Sequence, residues 1–407
     1  MKNVERFIRY VKIDTQSDDK SLTSPSTSKQ NNLAKILVDE LIELGVEDAK
    51  LNEFGIVTGS IKANTSKNIP AIGFISHIDT ALDLTGTNVR PQVIENYDGK
   101  DIKLSETVTM KVKDFPFLAS KEGETLVVTS GDTLLGADDK AGIAEIMGLV
   151  EYIQTHPDFE HGDIKIAFTP DEEIGRGTEN FDVKSFGAKF AYTVDGGPIF
   201  DVEYENFNAA SAHVEINGVS IHPGSAKDKM INSLLVAMEF NAMLPKGAIP
   251  SLTQGYEGFN HILNVNGNVE KTTMDYIIRN HDKNKLEEQK KDFIRIANYL
   301  NEFYHRDIVT LTIKDSYKNM REYLEKDMYI VDIAKEAITK EGLTPSSHPI
   351  RGGTDGANLT YMGLPCPNLG TGGYNAHGKF EFLVVSEMDK MVKVLINIVD
   401  IVAKRDW

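Results

Sequence analysis

An α/β protein, with a mixed sheet flanked by helices and a ferredoxin-like α+β module inserted into the chain, is the fold this sequence predicts. Three observations carry that expectation. Short, almost wholly apolar runs at 71–76 (AIGFIS), 163–169 (DIKIAFT) and 189–194 (KFAYTV) read as strands covered on both faces. Stretches of helical periodicity lie at both ends of the chain. From about 207 to 317 the order becomes strand, helix, strand, strand, helix, strand, the split βαβ arrangement. At 407 residues the chain exceeds the size at which one core usually stops growing. The expected division is therefore a first domain built from 1–206 and 318–407, with 207–317 inserted as a second.

In chain order, Val4, Phe7, Ile8 and Val11 mark one amphipathic helix. Leu33, Ile36, Leu37, Leu41 and Leu44 mark another, closed by Gly45. Residues 14–30 between them are rich in Ser, Thr and Asp and read as an exposed loop. Strand 71–76 delivers His77 and Asp79, and 83–123 is long, polar and irregular. A strand-like run at 125–135 leads through GADDKAG (136–142) into a helix at 141–155. Strand 163–169 ends at Pro170 and the triplet Asp171, Glu172, Glu173, and strand 189–194 at Asp195. The inserted module has strands at 209–216, 261–266, 272–280 and 307–314, with helices at 229–244 and 282–303. A helix at 326–340, the loop RGGTDGANL, the apolar LPCPNL and a glycine-rich loop carrying His377 follow. Ser386, with Asp389 three residues on, caps a last helix running to Ala403.

Composition narrows the function. A 41% apolar, 26% charged chain is of ordinary globular make-up. Its net charge of −17, from 44 basic and 61 acidic side chains, disfavours nucleic acid or an anionic membrane as partner. No apolar run approaches a membrane span, and a cytoplasmic location is expected. The single cysteine, Cys366, has no intrachain partner and reads as a small buried hydrophobe.

Chemistry concentrates on Asp138 and Asp139. Adjacent carboxylates repel unless cations neutralise them, although the pair alone equally suits an acidic helix start. His77, the pair Glu172 and Glu173, and Asp195 each follow a predicted strand directly, and His377 lies beyond LPCPNL. Open α/β sheets bind ligands at the carboxyl ends of their strands, so one sheet edge gathers all of these residues. Histidine with carboxylate suits zinc, and cobalt or manganese satisfy the same donors. Three carboxylates and a hydroxide balance the charge of two divalent ions, whereas one ion leaves buried negative charge. His77 and Asp79 share a side of an extended segment, so the carboxylate can orient the imidazole, although HxD alone is also a common surface coincidence. Glu172 and Glu173 point apart on a turn, leaving one to ligate and the other to move protons. The glycine-rich GTGGYNAHG and GRGTEN complete no nucleotide motif.

FISHIDT, TLLGADDKAGIAEIM, IAFTPDEEIG, YTVDGG, NGVSIHPGSAK, PIRGGTDGANL and GGYNAHGKFEF, in this order and spacing, resemble the peptidase T family over essentially the whole chain. The resemblance implies a zinc-peptidase catalytic domain with an inserted lid that also carries dimer contacts, and hydrolysis of the N-terminal bond of tripeptides. It further implies two zinc ions per chain: His77 and Asp195 on one, Glu173 and His377 on the other, and Asp138 bridging across a cis peptide to Asp139. Glu172 would be the general base, Asp79 the partner of His77, and His222 a donor to the substrate carbonyl; alone, His222 is equally a solvated turn histidine. Arg279, ending a strand of the inserted module, and Arg351, in a catalytic-domain loop, each read alone as surface arginines. With the resemblance they become a fork for the peptide's terminal carboxylate that spans both domains. Deacylation of N-acyl amino acids or a dipeptidase activity on the same scaffold is a rival reading. A silent peptide-binding protein is a rival of another class, against which stands the retention of Glu172 and Asp138.

Overall fold

The computed structural model describes residues 2–407, in two compact units. The first unit runs to Tyr204 and continues with Glu322–His348 and Thr354–Trp407, while the second comprises Glu205–Arg321 and Pro349–Gly353.

The centre of the first unit is a seven-stranded mixed sheet. Its order is Lys50–Leu51, Val57–Ile61, Ile164–Thr169, Ile72–His77, Phe190–Val194, Asn368–Leu369 and Val202–Glu203. The four middle strands are parallel, and the strands outside them pair antiparallel. Side chains alternate between two cores, as the two-residue period of a strand requires. Phe74, Ile166, Phe168, Phe190 and Tyr192 face the larger core, which includes buried residues of the helices Asn3–Val11, Ala137–Thr155, Tyr329–Lys340 and Val385–Lys404. Ile75, Ala167 and Ala191 face a smaller one, which also holds Phe186, Leu359 and the buried Cys366. Gly73 is required on that side, because a Cβ there would come within 2.6 Å of the Phe186 ring. Among the described residues no helix is long and apolar enough to cross a membrane.

Local readings failed where long-range contacts intervene. Of the expected strand 125–135 only Leu126–Val128 forms, in a separate sheet with Gln92–Ile94 and Phe382–Val384. The chain then turns, with Gly131 at φ +82 and the Thr129 hydroxyl donating to the Thr133 carbonyl at 3.0 Å. Residues 14–30 are not simply exposed: Thr15, Ser17, Pro25, Ser26 and Gln30 are buried. Asp171 accounts for part of this, since its buried carboxylate accepts from the Ser26 amide at 2.7 Å and the Gln30 side chain at 2.6 Å. The last helix begins at Val385, and Ser386 donates to Glu124 instead of capping it.

The second unit is an antiparallel sheet in the order Phe259–Gly267, Lys271–Asn280, Asn208–Asn217, Val309–Asp315, with helices Ser233–Met243 and Lys283–Phe303 packed on it. Strand Lys271–Asn280 alternates strictly between buried and partly exposed positions after its first residue, as a half-covered sheet should. This is the ferredoxin-like order expected from the sequence.

Candidate metal centre

The carboxyl ends of the four parallel strands converge. His77 ends one of them; Asp171, at φ 58, turns the chain after Thr169 so that Glu172–Ile174 forms a single 3-10 turn. Asp195 follows Val194, its amide donating to the Leu369 carbonyl at 3.0 Å, and the loop beyond Leu369 carries His377 at φ 65. Asp138 lies in the opening turn of helix Ala137–Thr155, where it and Asp139 depart from helical geometry, and the peptide between them is cis.

These side chains form one connected cluster. His77 Nε2 lies 2.9 Å from Asp138 Oδ1 and 3.6 Å from Asp195 Oδ1. His377 Nε2 lies 3.3 Å from the other Asp138 oxygen, Oδ2, and 3.1 Å from Glu173 Oε2. Asp138 thus shows a different oxygen to each imidazole. Donor atoms of His77, Glu172 and Asp195, and of His77, Asp138 and Glu173, lie within 4.8 Å of one another. Glu172 thus groups with Asp195 and Glu173 with Asp138, and both groups share His77. His77 Nδ1 lies 3.0 Å from the Asp79 carbonyl and 3.3 Å from its carboxylate, which also accepts the Glu172 and Glu173 amides at 2.9 and 3.2 Å.

Electrostatics describe a site built for cations. Burial opposes charge on His77, but Asp195, Asp138 and Asp79 outweigh it and hold the ring well above its ordinary pKa. Hydrogen bonds to Asp138 and Glu173 raise His377 to about 11. Burial pushes Glu172 well above the ordinary carboxylate range, with Asp195 adding to it, and lifts Glu173 to about 7 and Asp195 to about 6. Divalent cations would offset the repulsion among these buried carboxylates. The donors fit such ions: each Asp138 oxygen serves one half of the cluster, and the buried Glu173 Oε1 has no hydrogen-bond partner.

Several supporting residues escaped the sequence reading. Glu381 is buried and accepts the amides of Leu135, Gly136 and Asp138. Asp83 approaches His377 Nδ1 at 3.3 Å, and the buried Asp355, raised to about 7 by burial, accepts from the Thr169 hydroxyl at 2.7 Å. Asp83 and Glu381 lie six and four residues beyond the histidines His77 and His377, the one signal that could have found them.

The remaining predicted residues lie in the second unit. His222 is exposed at the start of the short turn Pro223–Ser225, and its Nδ1 accepts from the Gly224 amide at 3.2 Å. Arg279 donates one guanidinium nitrogen to the carbonyls of Ala210 and Ile278 and stacks over Tyr317. The expectation that Arg351 sits in the catalytic domain, opposite Arg279 in a two-domain clamp, is overturned. Its guanidinium stacks over Phe207 and Phe259, and donates to the carbonyls of Gly255 and Glu257 and the hydroxyl of Thr253. Those contacts draw Pro349–Gly353 into the second unit, so both arginines belong to it.

Known proteins resemble the chain throughout. Residues 204–305 match the family described as peptidase dimerisation domain. Peptidase T of Clostridium perfringens is 54% identical over 406 residues, covering 100% of both chains. Peptidase T of Halothermothrix orenii is 53% identical, covering 99% of this chain and 100% of its own. Among solved structures, aminopeptidase PepT of Bacillus cereus superposes with a TM-score of 0.79 at 22% identity, covering 99% of this chain and 98% of its own. A tripeptidase of Staphylococcus aureus gives a TM-score of 0.80 at 20% identity, with the same coverage. Full-length identity above one half, on a fold that gathers the motifs at one sheet edge, places this chain in the peptidase T family.

Proposed function

We propose that the chain is a tripeptide aminopeptidase that hydrolyses the N-terminal peptide bond at the cluster of His77, Asp138, Glu173, Asp195 and His377, with two zinc ions bound. The observation that carries this reading is Asp138, whose two oxygens face different histidines at 2.9 and 3.3 Å, as a bridging ligand requires. When bound, the cations supply Lewis acidity for the scissile carbonyl and lower the pKa of the attacking water. His77 and Asp195 would hold one ion and Glu173 and His377 the other. Asp79 orients His77 and, through the amides it accepts, fixes the backbone of Glu172. Glu172 takes the proton of the attacking water and returns it to the leaving amine nitrogen.

From the second unit, His222 is the donor to the carbonyl oxygen. Its Nδ1 accepts from the Gly224 amide, which puts the proton of the neutral ring on Nε2 and makes that atom a donor. Arg279 is the better of the two arginines for a terminal carboxylate, because only one of its guanidinium nitrogens is engaged by carbonyls. The family match across 204–305 supports a homodimer through this unit. So does its open edge strand Phe259–Gly267, which exposes Leu263 and Val265.

The test is hydrolysis by metal-depleted and zinc-reloaded protein of a free-amine tripeptide, its N-acetyl form, a dipeptide and a tetrapeptide. Release of the N-terminal residue from the free-amine tripeptide, dependent on reloading, is expected. Preference for the N-acetyl substrate would replace this reading with deacylation.

A further inference from the structure

The turn that carries Asp138 is not capped from within its own helix. Gly136 occupies the capping position at φ 83 and offers no side chain. The amides of Leu135 and Gly136 donate instead to Glu381 Oε2 at 2.7 and 2.8 Å, and that of Asp138 to Glu381 Oε1 at 3.0 Å. Glu381 stands 243 to 246 positions away in sequence and is 1% exposed. Helix starts are ordinarily satisfied by a local Ser, Thr, Asp or Asn. Here a distant buried carboxylate fills the role, and it lies four residues beyond His377, in a loop closed by the Glu381 amide on the Gly378 carbonyl and by Asn375 on Phe380. The buried ammonium of Lys140, on which the charge of Glu381 acts, donates to the Ile13 carbonyl at 2.8 Å. One side chain therefore joins the turn presenting Asp138 to the loop presenting His377.

We propose that Glu381 is a positioning residue of the metal centre: by accepting three amides it sets where the two Asp138 oxygens stand relative to His77 and His377. This rests on the two-metal reading above. Carboxylates one step removed from a metal typically contribute 10–100-fold to its affinity, which sets the size of the effect. Glu381→Gln isolates the contact that matters. Its amide oxygen can still serve Leu135 and Gly136, but its NH2 group then faces the Asp138 N–H, donor against donor.

The experiment titrates Co²⁺ into metal-depleted protein against a chelator and records the cobalt absorption bands. Wild type should take up two ions per chain. Glu381→Gln should bind at least ~10-fold more weakly, with altered bands. Gly136→Ala, which strains the same turn through its positive φ, should do likewise and serves alone if the first variant does not fold. Ile398→Ala, a cavity in the core helix Val385–Lys404, should keep wild-type affinity. Wild type with two ions and both turn variants at unchanged affinity would overturn the inference while leaving the two-metal reading intact. So would an equal affinity loss in Ile398→Ala, which would trace the effect to stability alone. Wild type binding fewer than two ions would overturn both.

Discussion

On the proposed mechanism, replacing Glu172 by glutamine removes a proton acceptor and little else. The Glu172 amide is held by Asp79 at 2.9 Å, so the backbone of the variant has no cause to move. Burial and Asp195 already oppose the charge on this carboxylate, and losing that charge should leave the fold at least as stable. General-base loss spans ~10²–10⁴-fold in rate. The upper half of that range is expected, because the neighbouring carboxylates are otherwise engaged, Asp195 as a proposed metal ligand. Glu173 is engaged with His377 at 3.1 Å. Asp355 accepts from Thr169, and the backbone at Gly177 lies so close to it that a Cβ there would come within 2.3 Å of its oxygen. The expected loss is thus ~10³–10⁴-fold in kcat, or about 4–5.5 kcal/mol of barrier, with KM changed less than about threefold. The assay is initial-rate release of the N-terminal residue from a tripeptide, with metal content measured on the same sample. A kcat within tenfold of wild type, in protein holding its full metal complement, would refute the assignment.

Asp138→Ala should lose metal at both positions, because one residue faces both histidines; two ions retained per chain would exclude the bridge. Arg279→Ala should lose most of its activity on a free-acid tripeptide and little on the C-terminal amide, and equal proportional losses would show that the residue does not read the carboxylate. Glu145 supplies a pH prediction away from the metal ligands. Neither of its buried oxygens meets a protein donor, and burial raises its pKa well above the ordinary value, with Asp139 and Asp389 adding to it. The folded state therefore holds this proton more tightly than the unfolded chain, so its contribution to stability falls as pH rises from about 4 toward the raised folded value. Glu145→Met should stabilise the protein by about 1–3 kcal/mol near neutrality and by less near pH 4, measured by denaturant unfolding. A gain independent of pH would refute the ionisation argument.

The sequence by itself determined the α/β class, the ferredoxin-like insertion and the placement of His77, Glu172, Glu173 and Asp195 at strand ends. Each of these is a local property: two-residue alternation or continuous apolarity makes the strand, and the residue after it inherits its position at the sheet edge. Asp138 was legible for the same reason, standing at the start of a long apolar helix. Only the tertiary structure decided what holds those residues in place. The three amides around Asp138 find their acceptor at Glu381, Asp171 draws Ser26 and Gln30 beneath the turn that carries Glu172, and Arg351 is pulled out of the first unit by Phe207, Phe259 and the 253–257 loop. No periodicity encodes such contacts. A buried carboxylate or guanidinium takes whatever donors or acceptors the folded chain brings near it, and those partners can lie more than two hundred residues away.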